Sequence, residues 1–338
     1  MCCSIISFCI ADRWARTAGR SANVPMLDIL SITFPIFAVI AIGYGAVRVG
    51  VFQPADMKPL GKFVLDIALP ALLFTAVATR PASEILNWGY LAAYAGGGLA
   101  TIAVMLIWLR LTGVGPARRA IGAMGASCPN SGFVGYPVML LLFPDLAGVV
   151  LALNFLAENV LLIPLNLLLL EMSRDRASKS VPKLIGALML ALLKRPMVIG
   201  LALGFAVSLS GVAVPDTALR LLDILAGAAI AVSLFVIGGS LVGLPMQGNR
   251  MLAGQIALGK LILHPALTFA VLATLPLIGL SLTPQMATAL ILSAAMPMFG
   301  IFTVIAQDYG HEGLASLAML ATTASAFVTL TVLIAWLV

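Results

Sequence analysis

Apolar residues run along this chain in ten long blocks, separated by short clusters of charge, proline and glycine. The blocks cover roughly residues 26–47, 60–79, 86–109, 119–142, 146–170, 196–213, 219–243, 253–275, 284–307 and 314–337. A helix needs about 20 mostly apolar residues to cross ~30 Å of hydrocarbon, and each block is near that length. Arg48 to Lys58 and Arg80 to Glu84 are typical of the separators. The pattern predicts an all-α integral membrane protein of about ten transmembrane helices, numbered here as spans 1 to 10.

Composition agrees with the pattern. Of 338 residues, 62% are hydrophobic and 9% charged, and the mean hydropathy is +1.12. Soluble domains carry about 25% charged residues, so most of this surface must face lipid. The formal net charge of +6 would suit a nucleic-acid partner in a soluble chain. Here the basic residues lie in short loops, where they set topology instead. The loops after the odd-numbered spans hold Arg48, Lys58, Lys62, Arg110, Arg118, Arg119, Arg174, Arg176, Lys179, Lys183, Lys194, Arg195 and Arg250. Those after the even-numbered spans hold Arg80 and Arg220. Thirteen against two assigns the first set to the cytoplasm of a cell (inner) membrane, with both ends of the ten-helix body extracytoplasmic.

Residues 1–25 break this order. Arg13, Arg16 and Arg20 would lie on the wrong side, and the apolar stretch precedes the charges, unlike a signal peptide. Translation from Met26 is one explanation and a short membrane-surface helix is the other. The cysteines (Cys2, Cys3, Cys9 and Cys128) show no metal-ligand spacing, so neither a metal site nor a disulfide framework is expected.

The longest polar stretch falls between spans 5 and 6 and divides the chain. The expected organisation is an amino-terminal extension (1–25), a first five-helix unit (26–171), a cytoplasmic loop (172–195) and a second five-helix unit (196–338). Because five is odd, the second unit enters the membrane from the opposite side, so any repeat between the halves is inverted. Leu65-Asp66-Ile67 in span 2 recurs as Leu222-Asp223-Ile224 in span 7. The fourth span of each half carries a break. Span 4 holds Ser127-Cys128-Pro129-Asn130-Ser131-Gly132 and span 9 holds Ala294-Ala295-Met296-Pro297-Met298-Phe299-Gly300. Proline removes a backbone donor, and opened backbone inside lipid must be buried in protein or line a wet cavity. Matched interruptions in inverted halves point to a substrate site near the midplane.

Several runs carry a resemblance: Asn-Ser-Gly-Phe-Val-Gly-Tyr-Pro at 130–137, Ala-Ala-Met-Pro at 294–297, Leu-Pro-Ala-Leu-Leu-Phe at 69–74 and Lys-Leu-Ile-Leu-His-Pro at 260–265. From Met26 onward the chain resembles the auxin efflux carrier family, which includes plant carriers and bacterial malonate and malate permeases. The resemblance implies two inverted five-helix repeats with broken helices 4 and 9 crossing at their prolines. It further implies an elevator-like carrier and a homodimer. Helices 1, 2, 6 and 7 would form the scaffold, and helices 3–5 and 8–10 the moving body. The short central loop implies a compact, prokaryotic-type member, for which auxin itself is a doubtful cargo.

The residue chemistry points the same way. Half-helix starts present amide donors and the positive end of the dipole, which suit a carboxylate. Pro129, Asn130, Ser131, Met296 and Pro297 are therefore the candidate substrate-binding residues. Glu158, Asn154, Lys260 and His264 are candidates for anion attraction or for coupling to protons or sodium, since charge inside a span costs ~3 kcal/mol or more and needs a reason. Lys260 and His264, four apart, share a helix face and form a cationic patch or pair with Glu158. Asp66 and Asp223 are expected at wet helix ends, and the glycine clusters 96–98 and 238–239 at close helix contacts. No phosphate-binding loop, Ser-His-Asp order or HExxH motif occurs, so neither an enzyme nor a cofactor is expected. The reading is a secondary transporter of small organic anions, its partners being the carboxylate, a coupling ion and membrane lipid. A sodium-coupled bile-acid-like symporter is the alternative, ahead of a passive channel or an intramembrane enzyme.

Overall fold

A computed structural model describes residues 26–173, 186, 190, 193–244 and 248–338, with side chains from Thr33 onward. The amino-terminal extension and most of the central loop, with the expectations placed on them, lie outside the described residues. Every regular element is a helix; the described residues contain no strand, and one isolated bridge joins Pro129 and Met298.

In chain order the helices are α1 (Met26–Arg48), α2 (Pro54–Ala78), α3 (Ala82–Leu111), α4 (Pro116–Ser127), α5 (Ser131–Leu142), α6 (Pro144–Met172), α7 (Pro196–Ser210), α8 (Asp216–Ser240), α9 (Arg250–Ile278), α10 (Pro284–Ala295), α11 (Phe302–Gln307) and α12 (Glu312–Leu337). Six of them, α2, α3, α6, α8, α9 and α12, are long and apolar enough to cross a membrane. The sequence block 119–142 is two helices, α4 and α5, and the block 284–307 is likewise divided into α10 and α11. In both, the chain leaves the helix where a proline lacks the amide that would continue it.

Four helical stretches widen into a π turn: Val64–Ala68, Ser131–Gly135, Glu158–Leu162 and Gly259–Leu263. Each is followed, after one intervening residue, by a proline: Pro70, Pro137, Pro164 and Pro265. A proline within a helix clashes with the carbonyl four residues back, and widening the preceding turn relieves that clash. Gly135 accordingly donates five residues back, to the Asn130 carbonyl, at 2.9 Å. The Phe133 carbonyl that Pro137 cannot serve accepts from Ser233 Oγ of α8 at 3.1 Å. These wide turns carry Asp66, Ser131, Glu158 and Lys260, so the same feature that relieves the backbone displays polar side chains within apolar helices.

Helix packing follows small residues. α1 lies along α8, and α2 along α7. A Cβ on Gly238 would stand 1.8 Å from the Ile40 carbonyl oxygen, and one on Gly43 would stand 2.1 Å from that of Phe235. α3 packs against α4 and α9, with Gly97 facing Thr268 so closely that a Cβ would meet Thr268 Oγ1 at 2.2 Å. The expected role of both glycine clusters in close helix contact agrees with this packing.

Candidate functional site

The two breaks meet. Extended segments 128–130 and 297–299 run antiparallel, with Asn130 N–H donating to the Pro297 carbonyl at 2.8 Å and Phe299 N–H to the Cys128 carbonyl at 3.2 Å. Backbone groups that leave two helices thus satisfy each other, as burial away from water demands. Just past the crossing, α5 starts at Ser131 and α11 at Phe302, while α4 and α10 end on the other sides.

A cavity of about 440 Å³ abuts this crossing. It runs from the exposed Lys58 and Lys62 and the half-buried Arg195 inward to the buried Asn130, Ser131, Glu158 and Asn159. Phe133, Phe155 and Phe299 line the walls. Asp66 also faces the cavity from the middle of α2; the expected helix-end position is corrected, because the helix begins at Pro54, ahead of the apolar block, and so holds Asp66 well inside it. Asn130 Oδ1 accepts the Phe133 amide at 3.1 Å and so caps the start of α5, as short polar side chains do at an N-cap. Its Nδ2 makes no hydrogen bond among the described residues.

Glu158 sits beside this cap. Its Oε1 accepts from Tyr94 Oη at 2.6 Å and from Ser131 Oγ, which ties α6, α3 and the start of α5 to one carboxylate. One turn earlier, Asn154 Oδ1 accepts from Tyr90 Oη at 2.7 Å and its Nδ2 donates to Ser293 Oγ of α10 at 2.9 Å. The polar stripe of α6 therefore reaches both broken helices.

Lys260 and His264 stand apart from the cavity, both fully buried. Lys260 Nζ lies 2.8 Å from His264 Nδ1 and donates to the Ala294 carbonyl at 2.6 Å. The pairing with Glu158 that the sequence offered as one option is absent; the ammonium faces the end of α10 instead. Met296 and Pro297 form the crossing but do not line the cavity, where Met298 and Phe299 take their place. Asn154 is likewise off the cavity, engaged with Tyr90 and Ser293. Among the described residues no group of three His, Cys, Asp or Glu side chains is placed to hold a metal ion.

Sequence reasoning missed Tyr90, Tyr94 and Ser293. The signal was present: two tyrosines four apart share a face of span 3, and a phenol deep in lipid needs a partner. A second cavity, of about 350 Å³, shares no lining residue with the first. It is lined by Thr75, Thr79, Arg80, Tyr136, Asp145 and Asp223, among others, and Arg80 Nη2 donates across it to the Asp145 carbonyl. The echoed aspartates thus face different cavities, Asp66 the first and Asp223 the second.

A protein-family profile described as "Membrane transport protein" matches residues 28–334. The chain is 29% identical to a "Putative malonate transporter" of Rhizobium meliloti over 314 residues, which is 90% of this chain and 95% of that one. It is 26% identical to the "Uncharacterized transporter YfdV" of Escherichia coli K12, covering 84% of this chain and 90% of that one. It also resembles "Auxin efflux carrier component 2" of Oryza sativa, at 26% identity over 47% of this chain and 27% of that one.

Proposed function

The chain belongs to the membrane transport protein family that includes the auxin efflux carriers, and from that premise we propose that it moves small mono- or dicarboxylates across the cytoplasmic membrane as a secondary carrier. One observation carries the reading: the start of a twelve-residue half-helix (Ser131–Leu142), with the Nδ2 donors of Asn130 uncommitted, faces a cavity rimmed by Lys58, Lys62 and Arg195. An oriented helix start and a cationic approach favour an anion. The named substrate of the Rhizobium relative, malonate, fits that chemistry and makes dicarboxylates the first cargo to test.

The mechanism follows from the two cavities. The carboxylate enters past the lysines, gives up part of its hydration shell, and takes hydrogen bonds from Asn130 Nδ2 and free amides at the start of α5. The second cavity shares no lining residue with the first, which supports access that alternates between the two without a continuous pore. In this reading the ten membrane segments form two inverted repeats. The crossing of matched breaks and the Asp66 and Asp223 placements support that symmetry. The packing of α1 on α8 and α2 on α7 supports a scaffold of these four helices, against which the remainder moves as an elevator; a homodimer would join scaffold to scaffold. Positive-inside topology assigns the lysine-rimmed cavity to the cytoplasm and both ends of the helical body to the outside. Glu158, hydrogen-bonded beside the anion position, is the group best placed to couple uptake to a proton.

The test is site-directed protection. Gly300 lines the cavity and has open space where a Cβ would stand, so Gly300→Cys is introduced into protein whose four native cysteines are replaced by serine. Malonate should slow its alkylation by a membrane-impermeant maleimide added from the Lys58 side. Alkylation from that side that no carboxylate slows would contradict the proposed site.

A further inference from the structure

The two half-helices that end at the crossing are finished differently. α4 ends against neutral groups: Asn166 Nδ2 donates to Ser127 Oγ at 3.0 Å and approaches Cys128 Sγ at 3.5 Å. α10 ends against a lysine. Its Ala294 carbonyl would, in an unbroken helix, accept from the amide four residues on, but at Met298 the chain is extended and paired across the crossing. Lys260 Nζ fills that vacancy at 2.6 Å.

The carbonyl end of a half-helix carries a partial negative charge, and in carriers with broken helices such ends coordinate the coupling cation. Here the position is already taken. Lys260 is fully buried, as is His264, whose Nδ1 lies 2.8 Å from Nζ. Nε2 of the same ring is buried and has no hydrogen-bond partner among the described residues. The groups gathered here, a half-helix carbonyl and an imidazole nitrogen, hold an amine that is covalently part of the chain.

We propose that Lys260 is a built-in substitute for a bound alkali cation at the end of α10, so that the carrier needs no sodium to neutralise its crossing. The assignment rests on the carrier reading only in part, since occupancy of this position has a consequence for the protein at rest. A cation that binds the folded state raises thermal stability, and one with no vacant site does not.

The experiment compares melting of the purified protein in sodium, lithium and choline chloride at equal ionic strength, without any carboxylate. The wild type should melt at one temperature in all three salts. Lys260→Ala should melt lower in choline and regain about 2–4 °C in sodium or lithium, the shift a site occupied well above its dissociation constant produces. Should Lys260→Ala not survive purification, Lys260→Ser, which leaves a hydroxyl toward Ala294, goes through the same comparison. Sodium stabilisation of the wild type would overturn the proposal, as would variants that melt alike in every salt. The readout involves no transport, so failure of the organic-anion reading leaves it intact and separately testable.

Discussion

Asn130 commits Oδ1 to the Phe133 amide and leaves Nδ2 without a hydrogen bond among the described residues, so its replacement removes a cap and the proposed substrate donor together. Loss of an N-cap costs about 1 kcal/mol. Loss of a hydrogen bond to a charged ligand costs about 1.5–3 kcal/mol, or roughly tenfold or more in affinity. Asn130→Ala should therefore lower uptake by about tenfold or more while only modestly lowering the melting temperature, which uptake and thermal unfolding in parallel will separate. Glu158→Gln keeps an acceptor for Tyr94 and Ser131 but holds no exchangeable charge. Substrate exchange should persist while stimulation by an imposed pH gradient disappears; a gradient response equal to wild type would remove Glu158 from the coupling role. Tyr94→Phe strips one donor from a buried carboxylate and should destabilise the protein by about 1–3 kcal/mol, measured by thermal melting. At this scale the sequence was legible where chemistry breaks a pattern. Asn130 and Ser131 stood out beside a proline in an apolar run, and Glu158 stood out as charge within a span. Tyr90 and Tyr94 did not, because an aromatic in lipid reads as filler until the partner of its hydroxyl is seen. The partner of Lys260 was equally hidden, since a backbone carbonyl exposed by a break on another helix has no signature in local spacing.

At the scale of elements, proline position accounts for most of what the apolar blocks could not convey. Block lengths predicted where helices lie, and the Pro129 and Pro297 neighbourhoods predicted the two breaks. The π turns went unpredicted, yet each precedes Pro70, Pro137, Pro164 or Pro265 at one spacing, so the rule was written in the sequence for a reader who weighs the clash as well as the lost donor. A wide turn that displays a polar side chain favours function over stability. Pro164→Ala and Pro265→Ala permit a regular helix, and both should reduce uptake without lowering the melting temperature. Variants with normal uptake would show that the wide turns are incidental. The glycines on α1 and α8 make the opposite prediction. A methyl group on Gly238 has no room against the Ile40 carbonyl, so Gly238→Ala should destabilise by about 1–3 kcal/mol through overpacking, visible as a lower melting temperature.

For the whole molecule, the proposed function joins two cavities that share no lining residue, a crossing of two broken helices and a cationic rim on one side: in that proposal a carboxylate binds where the halves cross and is released on alternating sides. Class and family were legible from hydropathy and from the 130–137 motif. The shape of the cavity was not, because its lining is assembled from α2, α5, α6 and the segment after α10, which lie far apart in sequence. The most direct test is uptake of radiolabelled malonate, malate and indole-acetate into proteoliposomes, with and without an imposed pH gradient, comparing wild type with Asn130→Ala. The account predicts saturable uptake of a small carboxylate by the wild type, reduced about tenfold or more in the variant. Uptake indistinguishable between the two would contradict the site, and no uptake of any of the three acids by folded protein would contradict the substrate class.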